Sequence, residues 1–83
     1  MALIDLPAGT PTEVSAGTAN GLIIANGGSA PISLNTTDPT ADGPAILLDS
    51  NETVIMEPGS VWAASAWVAY CNGGGTAVVT EVA

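Results

Sequence analysis

Short apolar stretches alternate with turn-forming residues along the whole chain. They recur about every 8–12 residues, which is the spacing of all-β sandwiches and barrels. The predicted strands are 2–6 (ALIDL), 12–16 (TEVSA), 20–25 (NGLIIA), 30–35 (APISLN), 45–48 (AILL), 53–56 (TVIM), 60–70 and 76–82 (TAVVTEV). The pattern therefore predicts an all-β fold, a small antiparallel β-sandwich or barrel of about seven to eight short strands.

Glycine, proline and asparagine clusters separate these strands. The predicted turns and loops are 25–31 (ANGGSAP), 36–44 (TTDPTADGP), 48–52 (LDSNE), 56–60 (MEPGS) and 71–75 (CNGGG). Asn-Gly-Gly tolerates positive φ, so the first of these predicts a hairpin-type turn. Residues 61–71 are rich in alanine and also allow a helix, but the glycines on both sides favour a hairpin.

The chain shows no linker and no internal repeat, so residues 1–83 are predicted to form a single β-domain. Two placements are open for residues 1–6, which form either an arm outside the main sheet or an edge strand. The start has no basic region and contains Asp5, so it does not resemble a signal peptide. A start at methionine is expected of a small whole protein more than of a severed fibre tip.

Alternation along the strands predicts which side chains point into the core. The expected inward residues are Leu22, Ile24, Ile32, Leu34, Leu47, Val54, Met56, Trp62, Val78 and Val82.

The stretch from Gly59 to Gly75 holds both tryptophans, the only tyrosine and the only cysteine. In a strand, Trp67 lies on one face and Trp62 and Tyr70 on the other, and both faces are apolar. A strand on the outside of a monomeric sandwich usually has one polar face. We therefore expect Trp62 to fill the core, and Trp67 and Tyr70 to lie at a contact with another subunit or a partner.

The charge is one-sided. The chain has eight acidic residues and no Lys, Arg or His, which gives a net charge of −8. Such a chain cannot neutralise phosphates, so nucleic acids and anionic membranes are excluded as partners, whereas basic partners are attracted. Since 47% of the residues are hydrophobic, the chain is too apolar for a typical disordered segment.

A domain of this size usually needs additional stabilisation. One cysteine cannot form an internal disulfide, and without histidine there is no zinc shell. Oligomerisation is the remaining common solution, so we expect the protein to associate with itself.

Enzyme chemistry is not expected. Without His or Lys, a Ser or Cys nucleophile lacks its usual base, and paired carboxylates would need a cleft that short loops do not provide. Cys71 has no basic neighbour and is expected to be a small buried hydrophobic residue. We therefore predict no catalytic residues and no cofactor.

Calcium is the metal that the acidic loops could bind. Asp38 and Asp42 in the 36–44 loop, and the DSNE turn at 49–52, offer hard oxygen ligands. Neither has the Asp-x-Asp-x-Asp-Gly spacing of a calcium loop, so solvated turns are the preferred interpretation and no metal site is predicted.

Over residues 20–82 the sequence resembles small structural proteins of tailed-bacteriophage virions. The similarity lies in Asn26, the Ala-Pro-Ile segment 30–32, and the stretches 43–48 (GPAILL), 52–54 (ETV), 59–65 (GSVWAAS) and 76–82 (TAVVTEV). Residues 66–73 form a longer insertion than the short Ser-Gly turn of those proteins.

The resemblance implies a homotrimeric capsid decoration (cement) protein. It would lie on the outer surface of the virion head and bind the major capsid protein and copies of itself. Two alternatives are a glycan- or receptor-binding tip domain of a tail fibre and an assembly protein of the neck or tail. The expected interface residues are Leu3 and Ile4, on an edge strand that can add to a neighbour's sheet, with Trp67 and Tyr70.

Overall fold

The structure is a computed structural model that describes residues 2–36 and 46–82. These residues form eight strands and one short helix. The elements are β1 (Ala2–Leu6), β2 (Thr12–Ser15), β3 (Leu22–Asn26), β4 (Ile32–Thr36), β5 (Ile46–Leu48), β6 (Thr53–Met56), α1 (Val61–Ala64), β7 (Trp67–Tyr70) and β8 (Gly75–Glu81). The predicted all-β class is confirmed.

The strands make two four-stranded antiparallel sheets. Sheet A has the order β1-β8-β3-β6, and sheet B has the order β2-β7-β4-β5. Consecutive strands lie in different sheets, except that β4 and β5 pair within sheet B. The sheets do not close into a barrel, so within the described residues the architecture is a sandwich. β1 pairs with β8 along its whole length and is an edge strand of sheet A.

The core lies between the sheets and follows the strand alternation. Five of the expected inward residues, Leu22, Ile24, Ile32, Leu34 and Met56, are buried, and this part of the prediction is confirmed. Val54 is partly buried and packs against the same cluster. Other buried hydrophobic residues are Leu6, Val14, Leu48, Ala69, Cys71, Ala77 and Val79.

Three of the predicted core positions on strands or their ends are wrong. Leu47 is 63% exposed, because its neighbours on β5 pair with inward residues of β4 and leave Leu47 opposite Ser33. Val78 lies between the buried Ala77 and Val79 and therefore faces outward. Val82 lies beyond the end of β8 and is 42% exposed. At Leu47 and Val78 the neighbouring positions are also apolar, so alternation alone does not choose the inward face.

The predicted strand 60–70 is wrong in its first half. The Ser60 side chain accepts a hydrogen bond from the backbone N–H of Ala63 at 3.1 Å and caps α1. The next strand, β7, begins only at Trp67. Trp62 therefore lies on a helical turn and is 36% exposed, so its predicted place in the core is also wrong.

The segment from Asn26 to Pro31 is not a hairpin. It carries the chain from β3 in sheet A to β4 in sheet B, and neither Gly27 nor Gly28 has a positive φ. The Asn26 side chain holds this crossover: its amide donates to the carbonyl of Ala30 at 2.8 Å, and its oxygen accepts from the N–H of Gly28 at 2.9 Å.

Alanine substitutions at Ile24 and Leu47 should separate inward from outward positions. Ile24 has no exposed surface, so Ile24→Ala is expected to destabilise the protein by about 2–5 kcal/mol. Leu47→Ala should change stability by no more than about 0.5 kcal/mol, because its side chain is mostly in solvent. Urea unfolding of both variants measures the difference. Equal losses of stability would contradict the register of β3 or β5.

Candidate functional site

The outer side of sheet A carries at least one apolar residue on each of its four strands. Its apolar residues are Leu3, Ile23, Ala25, Ile55 and Val78, and we call this surface the apolar face. Backbone pairing places these residues side by side: Leu3 opposite Val78, Val78 opposite Ala25, and Ile23 opposite Ile55. Side chains at such paired positions lie about 4.5–5.5 Å apart, so the five residues form one continuous surface.

The apolar face is open at both edges. Leu3 on β1 is 73% exposed and Ile55 on β6 is 67% exposed, while the three residues between them are half-buried. From strand spacing and rise, four strands of about five residues cover roughly 300 Å². The apolar residues occupy part of that area, beside Thr53, Thr76 and Thr80, and contiguous exposed apolar surface can mark an interaction site.

The apolar face carries almost no charge. The remaining outward positions on these strands include Thr53, Thr76 and Thr80. Within the four strands the acidic residues are Asp5 and Glu81. Asp5 lies at the corner of the face, opposite Thr76, and Glu81 shares the side of the buried Val79. A chain with a net charge of −8 thus keeps one broad surface nearly free of carboxylates.

Sheet B has a different outer side. In one row of cross-strand neighbours, Val68 lies between Glu13 and Asn35. In the next row, Ser33 lies between Leu47 and Tyr70. Polar and apolar side chains therefore mix on this surface, as is usual for a solvated sheet. Sheet A differs in that its apolar residues are paired side by side from β1 to β6, which makes it the candidate docking surface.

The four expected interface residues lie in different places. Leu3 belongs to the apolar face. Ile4 points to the other side of β1 and packs partly buried against the core. Tyr70 lies half-buried on the opposite outer side, in a shallow groove with Pro31 and Leu47. A single flat contact cannot include both Leu3 and Tyr70.

The expected exposure of Trp67 is wrong. Its side chain has no exposed surface and is the largest of the fully buried ones. The ring stacks on Trp62 with centroids 5.9 Å apart, and the indole N–H donates to the Trp62 carbonyl at 2.7 Å. Trp67 is therefore a core residue and Trp62 is its partly exposed cover, the reverse of the expectation. The glycan-binding alternative accordingly retains only Trp62 as an accessible indole.

A second apolar feature opens between the edge strands β5 and β6. Ile55 belongs both to this feature and to the apolar face. The residues that line it are Ile46, Val54, Ile55, Met56, Glu57, Ser60 and Trp62. We call it the Trp62 groove. Its walls are apolar, and Glu57 and Ser60 supply its polar groups.

The structure describes both the carboxylate of the 49–52 turn and the thiol of Cys71. The Glu52 carboxylate accepts the N–H of Asp49 at 2.8 Å, so this carboxylate closes the 49–52 turn. No cluster of metal-ligating side chains occurs in residues 2–36 and 46–82. Asp38 and Asp42 lie outside that part of the chain. Cys71 is buried, and its thiol is free.

The sequence interpretation missed Ile23, Ile55 and Val78 as members of a surface. The available signal was that apolar residues occupy both the inward and the outward positions in LIIA and VIM, since a strand with only one buried face does not need both.

None of the helices in the described segments is long and apolar enough to cross a membrane.

No protein family model, curated protein sequence or solved structure matches this chain.

Proposed function

We propose that the protein is a structural protein of a tailed-phage virion that decorates the outer surface of the head. It acts by docking, binds the major capsid protein, and associates with copies of itself as a homotrimer. The observation that carries the docking role is the apolar face of sheet A. The phage setting and the trimer rest on the sequence resemblance over residues 20–82.

Charge favours this face as the contact surface. The chain has no cationic side chain, so two copies cannot form side-chain ion pairs and repel each other wherever carboxylates meet. Burial of apolar surface is the remaining driving force for association, and the apolar face is where a partner can approach without meeting a row of carboxylates. An acidic protein is also better suited to the outside of a head than to contact with packaged DNA.

Non-enzymatic function is part of the proposal. A general base of the usual type is absent from the sequence, which contains neither His nor Lys. The Cys71 thiol is buried and would not reach a substrate at the surface.

The edge of β1 extends the docking surface. β1 pairs with β8 on one side, and its other side is the edge of sheet A. Leu6 on this strand is buried, so deleting Met1 to Leu6 would remove part of the core together with any contact. Point substitution of Leu3 is therefore the cleaner test of docking.

Aspartate substitutions on the apolar face should weaken association without unfolding the protein. Leu3→Asp and Ile55→Asp each place a carboxylate where a partner would bury it, so we expect at least about tenfold weaker binding. Leu47→Asp is the matched control, because Leu47 is 63% exposed on the outer side of sheet B. Native mass spectrometry reports the oligomer, and co-sedimentation with expanded, DNA-filled heads reports capsid binding.

The same experiments distinguish the proposed decoration role from its alternatives. A parent protein that remains monomeric and does not bind heads contradicts it. Equal effects of Leu3→Asp and Leu47→Asp would remove the apolar face as the contact. Binding to a host-surface glycan instead of to heads would favour the tail-fibre alternative.

A further inference from the structure

We propose that the Trp62 groove binds an arginine side chain of a partner protein. The inference deepens the proposed docking function and rests on it for the identity of the partner, a basic side chain on the capsid surface. The binding itself is a property of this chain and is measured without capsids.

The groove has the parts that a long basic side chain requires. Ile46, Val54 and Met56 give it apolar walls, against which the methylene stem of arginine can pack. Trp62 and Glu57 line the same groove, so an aromatic residue and an exposed acidic residue both lie beside it. A guanidinium group is attracted by both, since it stacks on aromatic faces and pairs with carboxylates.

Trp62 is held in place before any ligand arrives. Its ring stacks on the buried Trp67, and its backbone carbonyl accepts the Trp67 indole N–H at 2.7 Å. One side of the ring is thus covered by the core while 36% of the residue remains exposed. A fixed aromatic surface loses little conformational entropy when it binds a ligand.

The backbone of Glu57 is fixed by its turn, and its side chain is exposed. The Glu57 carbonyl accepts hydrogen bonds from the Ser60 hydroxyl at 2.7 Å and from the Ser60 N–H at 3.1 Å. Gly59, with φ of 77°, completes this turn, and its N–H donates to the carbonyl of Ala19 at 2.9 Å. The chain has no Lys, Arg or His, so the Glu57 carboxylate has no side-chain cation of its own to pair with.

The chemistry of the groove identifies the occupant. A second copy of this chain cannot supply the ligand, because it contains no cationic side chain. A purely aliphatic ligand would gain nothing from the exposed Glu57 carboxylate. Arginine fits better than lysine, since a planar guanidinium can stack on the indole and pair with the carboxylate together. Ile55 joins the groove to the apolar face, so one partner surface can reach both.

The test is an NMR titration of the intact protein with N-acetyl-arginine-N-methylamide. We expect saturable shifts of the Trp62 indole N–H and the Met56 methyl group. The corresponding citrulline compound has nearly the same shape without the charge, and it should bind at least about tenfold more weakly. Equal binding of the two compounds overturns the inference.

Two variants locate the site. Glu57→Gln should weaken arginine binding about five- to tenfold, whereas Glu13→Gln, which removes the same charge from the outer side of sheet B, should not. Trp62→Leu keeps apolar bulk, removes the aromatic ring and should weaken binding about fivefold, as followed at the Met56 methyl.

Equal weakening by the two glutamine variants would mean that arginine is attracted only by the total charge, and it would overturn the site. Absence of arginine binding overturns this inference and leaves the decoration role open to its own test with phage heads. The two proposals therefore fail in different experiments.

Discussion

Replacing Trp67 with alanine is expected to unfold the protein, whereas replacing Trp62 with alanine should leave it folded. Trp67 has no exposed surface, and the removed side chain would leave a cavity between the sheets. Truncation of a buried tryptophan costs about 3–5 kcal/mol. At roughly 0.05–0.15 kcal/mol per residue, that is comparable to the whole stability of a domain of this size.

The Trp62 variant is the matched control for this experiment. It removes the stacking partner, but the backbone carbonyl that accepts the Trp67 indole N–H remains. The expected loss of stability is about 1 kcal/mol, from the stacking and the partly buried ring.

Urea unfolding followed by circular dichroism measures both variants. In the Trp62→Ala protein the remaining tryptophan should also show the blue-shifted emission of a buried indole. A folded Trp67→Ala protein with normal cooperativity would contradict the assignment of Trp67 to the core.

The strands were predictable where polar and apolar residues alternate, or where turns lie on both sides of a short apolar stretch. β1 and β6 have the predicted bounds, and Ile32 and Leu34 of β4 are buried as the ISLN pattern indicates. The inward face was not predictable where apolar residues occupy both alternations. Leu47 and Val78 are such cases, because the neighbouring strand, and not the local sequence, decides which side is buried.

The two tryptophans were assigned the wrong way round because α1 interrupts the strand pattern. An alternation counted from Val61 through Tyr70 assumes one continuous strand, and Ser60 instead caps a helical turn. A Pro-Gly turn followed by serine is a recognisable helix start, so the local signal for this turn was present. Its consequence, that Trp67 becomes the core residue, depends on how β7 packs between β2 and β4 and is not a local property.

The apolar face illustrates the same limit at the level of the site. Once Leu22 and Ile24 are placed inward, alternation puts Ile23 outward. The joining of Ile23 to Leu3, Ile55 and Val78 requires the strand order β1-β8-β3-β6, in which sequence-distant strands are neighbours. Such long-range pairing is decided by packing of the whole domain, and a single sequence contains little information on it.

Asn26 is the polar residue whose replacement should have the largest effect. Its side chain is 2% exposed at the end of β3 in sheet A. The amide donates to the carbonyl of Ala30 at 2.8 Å and to the carbonyl of Leu48, in sheet B, at 3.0 Å. The side-chain oxygen accepts the N–H of Gly28 at 2.9 Å. One amide therefore satisfies three backbone groups and joins the two sheets.

Asn26→Asp is expected to destabilise the protein by about 3–5 kcal/mol at neutral pH. An ionised carboxyl has no hydrogen to donate, so both carbonyls lose their partner and face a buried negative charge. Asn35→Asp makes the same chemical change at an exposed position on β4, and it should cost less than about 0.5 kcal/mol.

The loss of stability caused by Asn26→Asp should become smaller as the pH falls. Burial and the two facing carbonyls raise the pKa of the introduced carboxyl above its unfolded value of about 3.9. The folded state of the variant therefore favours the protonated carboxyl, which can donate to one carbonyl. The stability gap between Asn26→Asp and Asn35→Asp should be widest at pH 7 and narrow as the pH falls to about 4. Urea unfolding at both pH values measures the gap, and a gap that stays constant or widens on acidification would contradict the buried amide network.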